Sequence, residues 1–348
     1  MLAKRDKIVY IPYPVKGSNT NEYTFNMVRL LERKGTVLRE LAAPMDLFQI
    51  LRTKAVFLNW IEDQLDRKMK FQLWCYRIFG TKIIWVFHNK YPHDVEENSH
   101  VICNMKWLAN HSSDIILHSQ SSAKFIPNIK RNIRKARFVP HILYETQKND
   151  KCMEELRNKY CIKETDFVFL MFGTIRKYKN FEAGIEAFIK LEIPNAKLLI
   201  AGKPLDAMYT KKLKKMCENN KNIILDLQYI PNNILDSMIG ISDVVVLPYT
   251  NSSSMNSGVM IQAFSNGKTV ISPDICMARD YLKYGFIYLY RKSLDKIMLK
   301  AYKKGKAYNK NMGEVARKYM LNHNNEDVVK EKVAMILNKQ RFRAFYED

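Results

Sequence analysis

Three short stretches of this chain carry side chains in arrangements that can do chemistry. In GTIRKYKN, residues 173–180, Arg176 and Lys179 stand three apart in a loop after the apolar run DFVFLMF. A fork-shaped guanidinium and a point-charge ammonium so placed can both reach one diphosphate. Lys177 is a less favoured neighbour, and a solvated charged surface is the alternative use of all three. In SDVVVLPYTNSSSMNSGVMIQAFSNGKTVISP, residues 242–273, the run at 244–247 leads through a polar loop to Asn256-Ser257-Gly258 and an apolar-periodic helix. The first N–H groups of a helix lack intrahelical partners and its dipole is positive there, so an anion can dock, and Gly258 permits close approach. An ordinary helix start is the alternative. In KIIWVFHNKYPHD, residues 82–94, an apolar strand runs out at His88. Ligands of open α/β sheets sit at the carboxyl ends of strands, which makes His88 a candidate binding or catalytic group; a lone histidine can equally be a satisfied structural one.

The elements that must position these residues alternate along the chain. Strands are expected at 7–14, 55–60, 82–88, 114–119 and 137–141, with helical spacing at 21–34 and 62–80. A polar stretch, ILYETQKND, then reads as a linker, and the pattern restarts with strands at 166–173, 196–202, 223–229, 244–247, 269–273 and 286–290. Helices are expected at 181–191, 232–240, from 258 to Asn266-Gly267, around 293–304 and 313–320, and at 328–337. Strands separated by helices imply parallel, doubly wound sheets, and 348 residues exceed one comfortable core, so two domains are expected.

Composition narrows the partners. Lysine and arginine number 57 against 35 acidic residues, a formal charge of +22, with a pI near 9.6. Such a balance implies nucleic acid, an acidic membrane face or phosphorylated ligands. A basic nucleic-acid-binding protein is therefore one reading. The cations are spread through the chain and no nucleic-acid module is legible, so no nucleic acid is expected. The helix at 62–80 mixes Arg67, Lys68, Lys70 and Arg77 with Phe71, Trp74, Tyr76 and Phe79. That mixture suits an anionic membrane surface, or a core helix with a solvated basic face. Six cysteines without C-x-x-C spacing point to reduced thiols in a cytoplasmic protein. Six of the seven histidines fall between His88 and His141 but show no metal-ligand spacing, so no metal is expected. The apolar run IVYIPYPV after MLAKRDK lacks the length and cleavage site of a signal peptide, so none is expected, and no segment approaches the roughly 20 apolar residues needed to cross a bilayer.

The pattern of strand, Pro-Tyr, polar loop, Ser-Gly, helix with Ala-x-x-x-Gly, and strand with Val-Ile resembles the donor-binding half of GT-B glycosyltransferases, especially glycosyltransferase family four. The resemblance implies an α/β GT-B fold, two Rossmann-like doubly wound parallel-sheet domains facing a cleft. Residues 1–145 would be the acceptor-side domain, joined by a terminal helix at 325–348, and 146–324 the nucleotide-sugar domain. It implies phosphate-binding roles for Arg176 and Lys179, and donor contacts at Asn256, Ser257, Gly258 and Gln262, with Tyr229 and Ile230 near the base. His88 would lie near the donor sugar. Gly17, Ser18, Asn89 and His93 would lie on the acceptor side, in loops after the first strand and within His-Asn-x-x-Pro-His. Where the family carries two glutamates eight positions apart, this chain has Ser254 and Gln262. That departure opens a further reading, a catalytically inert relative that only binds nucleotide. The implied activity is metal-independent hexosyl transfer from a nucleotide sugar to a polysaccharide or lipid-linked acceptor, with retention of configuration.

Overall fold

The computed structural model describes residues 5–14, 22–43, 46–90, 100–250 and 255–338. Gly17, Ser18, His93 and Ser254 lie outside the described residues. The chain divides into two compact units: one runs to Ile142 and is rejoined by the segment from Asn324, and the other is Leu143–His323. The sequence placed these changes of unit at 145/146 and 324/325.

In the first unit six parallel strands are β1 (Lys7–Ile11), β2 (Thr36–Leu38), β3 (Thr53–Asn59), β4 (Lys82–Val86), β5 (Asp114–Leu117) and β6 (Ala136–Phe138), ordered β2-β1-β3-β4-β5-β6. Buried apolar runs form the central strands because helices cover both faces of a parallel sheet. The strand order reverses between β1 and β3, which opens a crevice at their carboxyl ends. The terminal helix Glu326–Leu337 belongs to this unit. Its Glu326 pairs with Arg29 and Arg33, Lys82 donates to the Ile336 carbonyl, and Asn324 donates to the His141 carbonyl at 2.8 Å.

The second unit repeats the plan with β7 (Phe167–Phe172), β8 (Ala196–Ala201), β9 (Ile223–Asp226), β10 (Val244–Val246), β11 (Thr269–Pro273) and β12 (Ile287–Tyr290). All pairs are parallel and the order is β12-β11-β10-β7-β8-β9. The reversal falls between β7 and β10. Phe169, Met171, Leu198, Ile200 and Val246 line the core against Ile185 and Phe188 of the helix Phe181–Ile189 and Met298 of Leu294–His323.

Several boundaries differ from the sequence reading: β1 stops at Ile11 rather than 14 and β6 at Phe138 rather than 141. The basic and aromatic helix is Arg67–Ile78 rather than 62–80, because the Asp66 carboxylate accepts from Met69 N at 2.7 Å and caps it. β9 ends at Asp226, leaving Tyr229 in the exit segment. The segment Leu294–His323 is two helices parted at the non-helical Gly305, φ 78°, as expected, but the second begins soon after that glycine rather than at 313 and runs on to His323.

Candidate functional site

Two loops meet where the order of the second sheet reverses. The loop leaving β7 and the loop leaving β10 are tied by Thr250, whose N–H and hydroxyl both donate to the Tyr178 carbonyl, at 3.2 and 3.3 Å. Lys179 lies on the first loop, held by a turn in which Asn180 takes a left-handed φ of 52°, a conformation asparagine tolerates. Only 6% of Lys179 is exposed. A Cβ built on Gly173, at the end of β7, would lie 2.5 Å from Lys179 Nζ and 3.5 Å from Val259 Cγ2. The ammonium and the first turn of the helix Gly258–Ser265 therefore flank the same backbone atom.

Neither Lys179 nor Arg176 forms a side-chain hydrogen bond or ion pair with any described residue. Burial, and next the Arg176 guanidinium, bring the Lys179 ammonium down to about 7. A buried cation without a counter-charge is costly, and the deficit is met when an anion arrives. Lys177, by contrast, faces away to Asp206 at 3.5 Å. Ser257 caps the helix, its hydroxyl accepting from Met260 N at 3.2 Å and meeting the Tyr249 hydroxyl at 3.3 Å. Gly258 is packed so closely that a Cβ there would stand 3.2 Å from the Tyr144 hydroxyl.

The first unit gathers a second polar cluster at the carboxyl ends of its strands. His88 follows β4, His118 follows β5 and His141 follows β6, all buried. Their rings surround Tyr23 of the helix Glu22–Glu32 at centroid distances of 5.2, 5.0 and 5.0 Å. His118 Nδ1 donates to the Val139 carbonyl at 2.8 Å, so its Nε2 accepts, from the Tyr23 hydroxyl at 3.0 Å. Trp60 stacks on His88 with centroids 4.0 Å apart and planes 16° apart. Its backbone adopts φ 46°, which costs a bulky residue about 1–2 kcal/mol. Desolvation lowers His118 to about 4 and His141 to about 3, and it holds His88 well below the usual histidine range, so the cluster is neutral at physiological pH. Among the described residues no group of three or more His, Cys, Asp or Glu is placed to hold a metal ion.

Residues 153–319 match the family described as glycosyl transferases group 1. This stretch is similar to the glycosyl transferases of group 1. It lies wholly within the second unit, where the two loops meet. A GDP-mannose:glycolipid 4-beta-D-mannosyltransferase of Xanthomonas campestris pv. campestris is 27% identical over 133 residues. That alignment covers 37% of this chain and 38% of the relative, little more than a third of either. Among solved structures, HepE of Anabaena in complex with UDP superposes with a TM-score of 0.75 at 12% identity, over 96% of this chain and all of that one. Sucrose-phosphate synthase of Thermosynechococcus elongatus gives 0.71 at 13% identity, over 96% and 99%. At such identities the likeness is one of fold, and the fold is GT-B.

Within the matched stretch, then, Arg176, Lys179, Asn256, Ser257 and Gly258 belong to the two adjoining loops. Gln262 lies one turn further along the helix, half-buried. Tyr229, 60% exposed, and Ile230 follow β9, separated from β7 by β8. In the first unit His88 sits in the histidine cluster with half-buried Asn89 after it. Sequence reasoning did not single out Gly173, Tyr144, Tyr23, Asn59, Trp60 or His118. A signal for the last was present: three histidines each fall within three residues of a strand end, and in a parallel sheet those ends lie side by side.

Proposed function

We propose that this chain is a glycosyltransferase that moves a hexosyl group from a nucleotide-diphosphate sugar to a saccharide or lipid-linked saccharide acceptor, without a metal. The observation that carries this is the buried ammonium of Lys179, unpaired among the described residues, beside Gly173 and the first turn of Gly258–Ser265. In the reaction the acceptor oxygen bonds to the anomeric carbon while the bond from that carbon to the phosphate oxygen breaks with its electron pair. Negative charge grows on the leaving diphosphate. Lys179, Arg176 and the N–H groups at the helix start are preorganised to stabilise it, work that a metal ion performs elsewhere. The acceptor hydroxyl proton passes to the departing diphosphate in a retaining course, which is the course the family-four resemblance implies.

His88 is the residue we assign to the donor sugar or the acceptor hydroxyl, with the acceptor bound by the first unit. Two features support a lipid-linked acceptor at an anionic membrane surface: the glycolipid named for the Xanthomonas relative, and the helix Arg67–Ile78. On that helix Phe71, Trp74 and Ile78 form one stripe, 52%, 53% and 56% exposed, beside Lys70 and Arg77. Among the described residues no helix is long and apolar enough to cross a membrane.

The test is a thermal-shift screen of GDP- and UDP-sugars followed by transfer to a lipid-linked acceptor with and without chelator, the product anomer read by NMR. Stabilisation by one donor class and chelator-insensitive transfer are expected. Absence of any nucleotide binding would end the reading. Gln262, where the family has a glutamate, favours one alternative, a protein that binds nucleotide and transfers nothing; binding without turnover or donor hydrolysis identifies it.

A further inference from the structure

Several lysines of this chain lose solvent on folding, and what their amines then touch sets one of them apart. Burial lowers Lys135 and Lys268 to about 8. Both amines are occupied: Lys135 donates to the carbonyls of Ala109 and Asn110, at 2.8 and 2.9 Å, and Lys268 to those of Gly240 and Ser242. Lys179 is the one buried lysine among the described residues, and its amine donates to none of them. Its Nζ lies over Gly173, 2.5 Å from where a Cβ would stand, and that same point is 3.5 Å from Val259 Cγ2 in the first turn of Gly258–Ser265. No carboxylate among the described residues pairs with it, and the charge that acts on it beside desolvation is the Arg176 guanidinium. A desolvated amine next to another cation gives up its proton readily and becomes a nucleophile near neutral pH.

The geometry points to Lys179 as a site of acylation by small acyl phosphates, whose phosphate is held by Arg176 and the N–H groups that open Gly258–Ser265. The neutral amine attacks the acyl carbon, the bond from that carbon to the phosphate oxygen breaks with its electron pair, and the amine proton leaves with the phosphate. The products are an Nε-acyl-lysine and hydrogen phosphate. A side chain this covered is closed to bulky acyl donors, while a small one carrying a phosphate is drawn in by the same groups that suit a diphosphate. The inference rests on the reading of these two loops as an anion site, and it adds regulation to that site. Acylated Lys179 has lost its charge and grown into the space over Gly173, so affinity for a nucleotide diphosphate falls about tenfold or more.

Treating the full chain with isotope-labelled acetyl phosphate at pH 7, followed by peptide mass spectrometry, reads the rate at each lysine. Lys179 is expected to acetylate about tenfold faster than Lys135 and Lys268, as their lower acidity and occupied amines require. Arg176→Gln is expected to slow acetyl phosphate about tenfold more than it slows uncharged N-hydroxysuccinimidyl acetate, since both reagents need the free amine and only one brings a phosphate. A Lys179 that reacts no faster than Lys135 and Lys268 in the unaltered chain overturns the inference, and that result needs no variant to fold. Equal slowing of both reagents by Arg176→Gln overturns it as well. UDP and GDP are expected to shield Lys179. Fast, Arg176-dependent acetylation that neither nucleotide slows upholds the acylation site and takes the nucleotide diphosphate out of this place, so the two readings fail separately.

Discussion

Lys179 reaches back over Gly173 so closely that a single methyl group on that glycine would stand 2.5 Å from the ammonium nitrogen. The glycine has φ +100°, a conformation side chains rarely adopt, so backbone and space are both reserved there. Gly173→Ala is therefore expected to push Lys179 aside, weaken nucleotide-diphosphate binding at least tenfold and cost about 1–2 kcal/mol of stability through strain. Calorimetric titration beside thermal unfolding checks both; an alanine variant that binds normally means the ammonium does not need this place.

Removing the cations tests the site itself. Arg176→Ala with Lys179→Ala deletes two charge-assisted contacts worth about 1.5–3 kcal/mol each, a loss of about a hundredfold or more in affinity. The fold should persist, since Arg176 is exposed and Lys179 has no partner among the described residues. Unchanged affinity in a folded double variant removes both residues from the donor site.

Donor binding should depend on pH through Lys179. In the free protein its ammonium titrates at about 7, and a bound diphosphate, being of opposite charge, raises that value. Above pH 7 the free protein has lost a proton that the complex retains, so binding takes one up and affinity falls as pH rises; below 7 both states are protonated and affinity is level. Nucleotide sugars titrated between pH 6 and 9 in buffers of different ionisation enthalpy will report the uptake. A pH-independent affinity, or one that strengthens with pH, contradicts the assignment.

Acid should unfold the first unit through its histidines. The folded values of His118, about 4, and His141, about 3, lie below the usual 6.5, and His88 is lowered as well. At pH above 6.5 the three rings are neutral folded or unfolded and contribute no slope. As pH falls below 6.5 the unfolded chain takes up as many as three protons that the fold refuses, and each proton costs about 1.4 kcal/mol per pH unit. All four tryptophans, Trp60, Trp74, Trp85 and Trp107, lie in this unit, so their fluorescence follows its denaturation. His118→Gln should shallow the slope between pH 6.5 and 4 by one proton; an unaltered slope would place the uptake elsewhere.

The exposed stripe on Arg67–Ile78 should bind anionic bilayers. Phe71→Ser with Trp74→Ser removes two half-exposed rings and is expected to lower partitioning onto phosphatidylglycerol vesicles roughly tenfold or more. Sedimentation with neutral vesicles as control decides it, and equal partitioning of variant and parent dismisses this helix as the contact.

Much of the fold could be read from buried strands. FVFLMF of β7 and VVV of β10 are covered on both faces, so their composition announced them. β2 could not be seen, being three partly exposed residues at a sheet edge, nor could the six-residue helix Leu47–Arg52, too short to show a period. Leu227 and Tyr229 extended the expected β9 to 229 because apolar residues also furnish exit segments. Arg176, Lys179 and His88 stood out because polar groups directly follow apolar strands. Tyr23, Asn59 and Trp60 did not, since nothing in the order of residues says that a helix from one end of the unit will bring a phenol between imidazoles that follow three later strands.

The return of Glu326–Leu337 to the first unit governs how the chain can be dissected. A fragment that stops at Ile142 discards Val329, Val333, Ile336 and Leu337, all buried, together with the Asn324 amide that donates to the His141 carbonyl. Halving the protein at one peptide bond therefore cannot yield an intact front portion. Only a fusion that splices residues 324–338 onto the first 142, or a circular permutant opened inside the second portion, would isolate it whole.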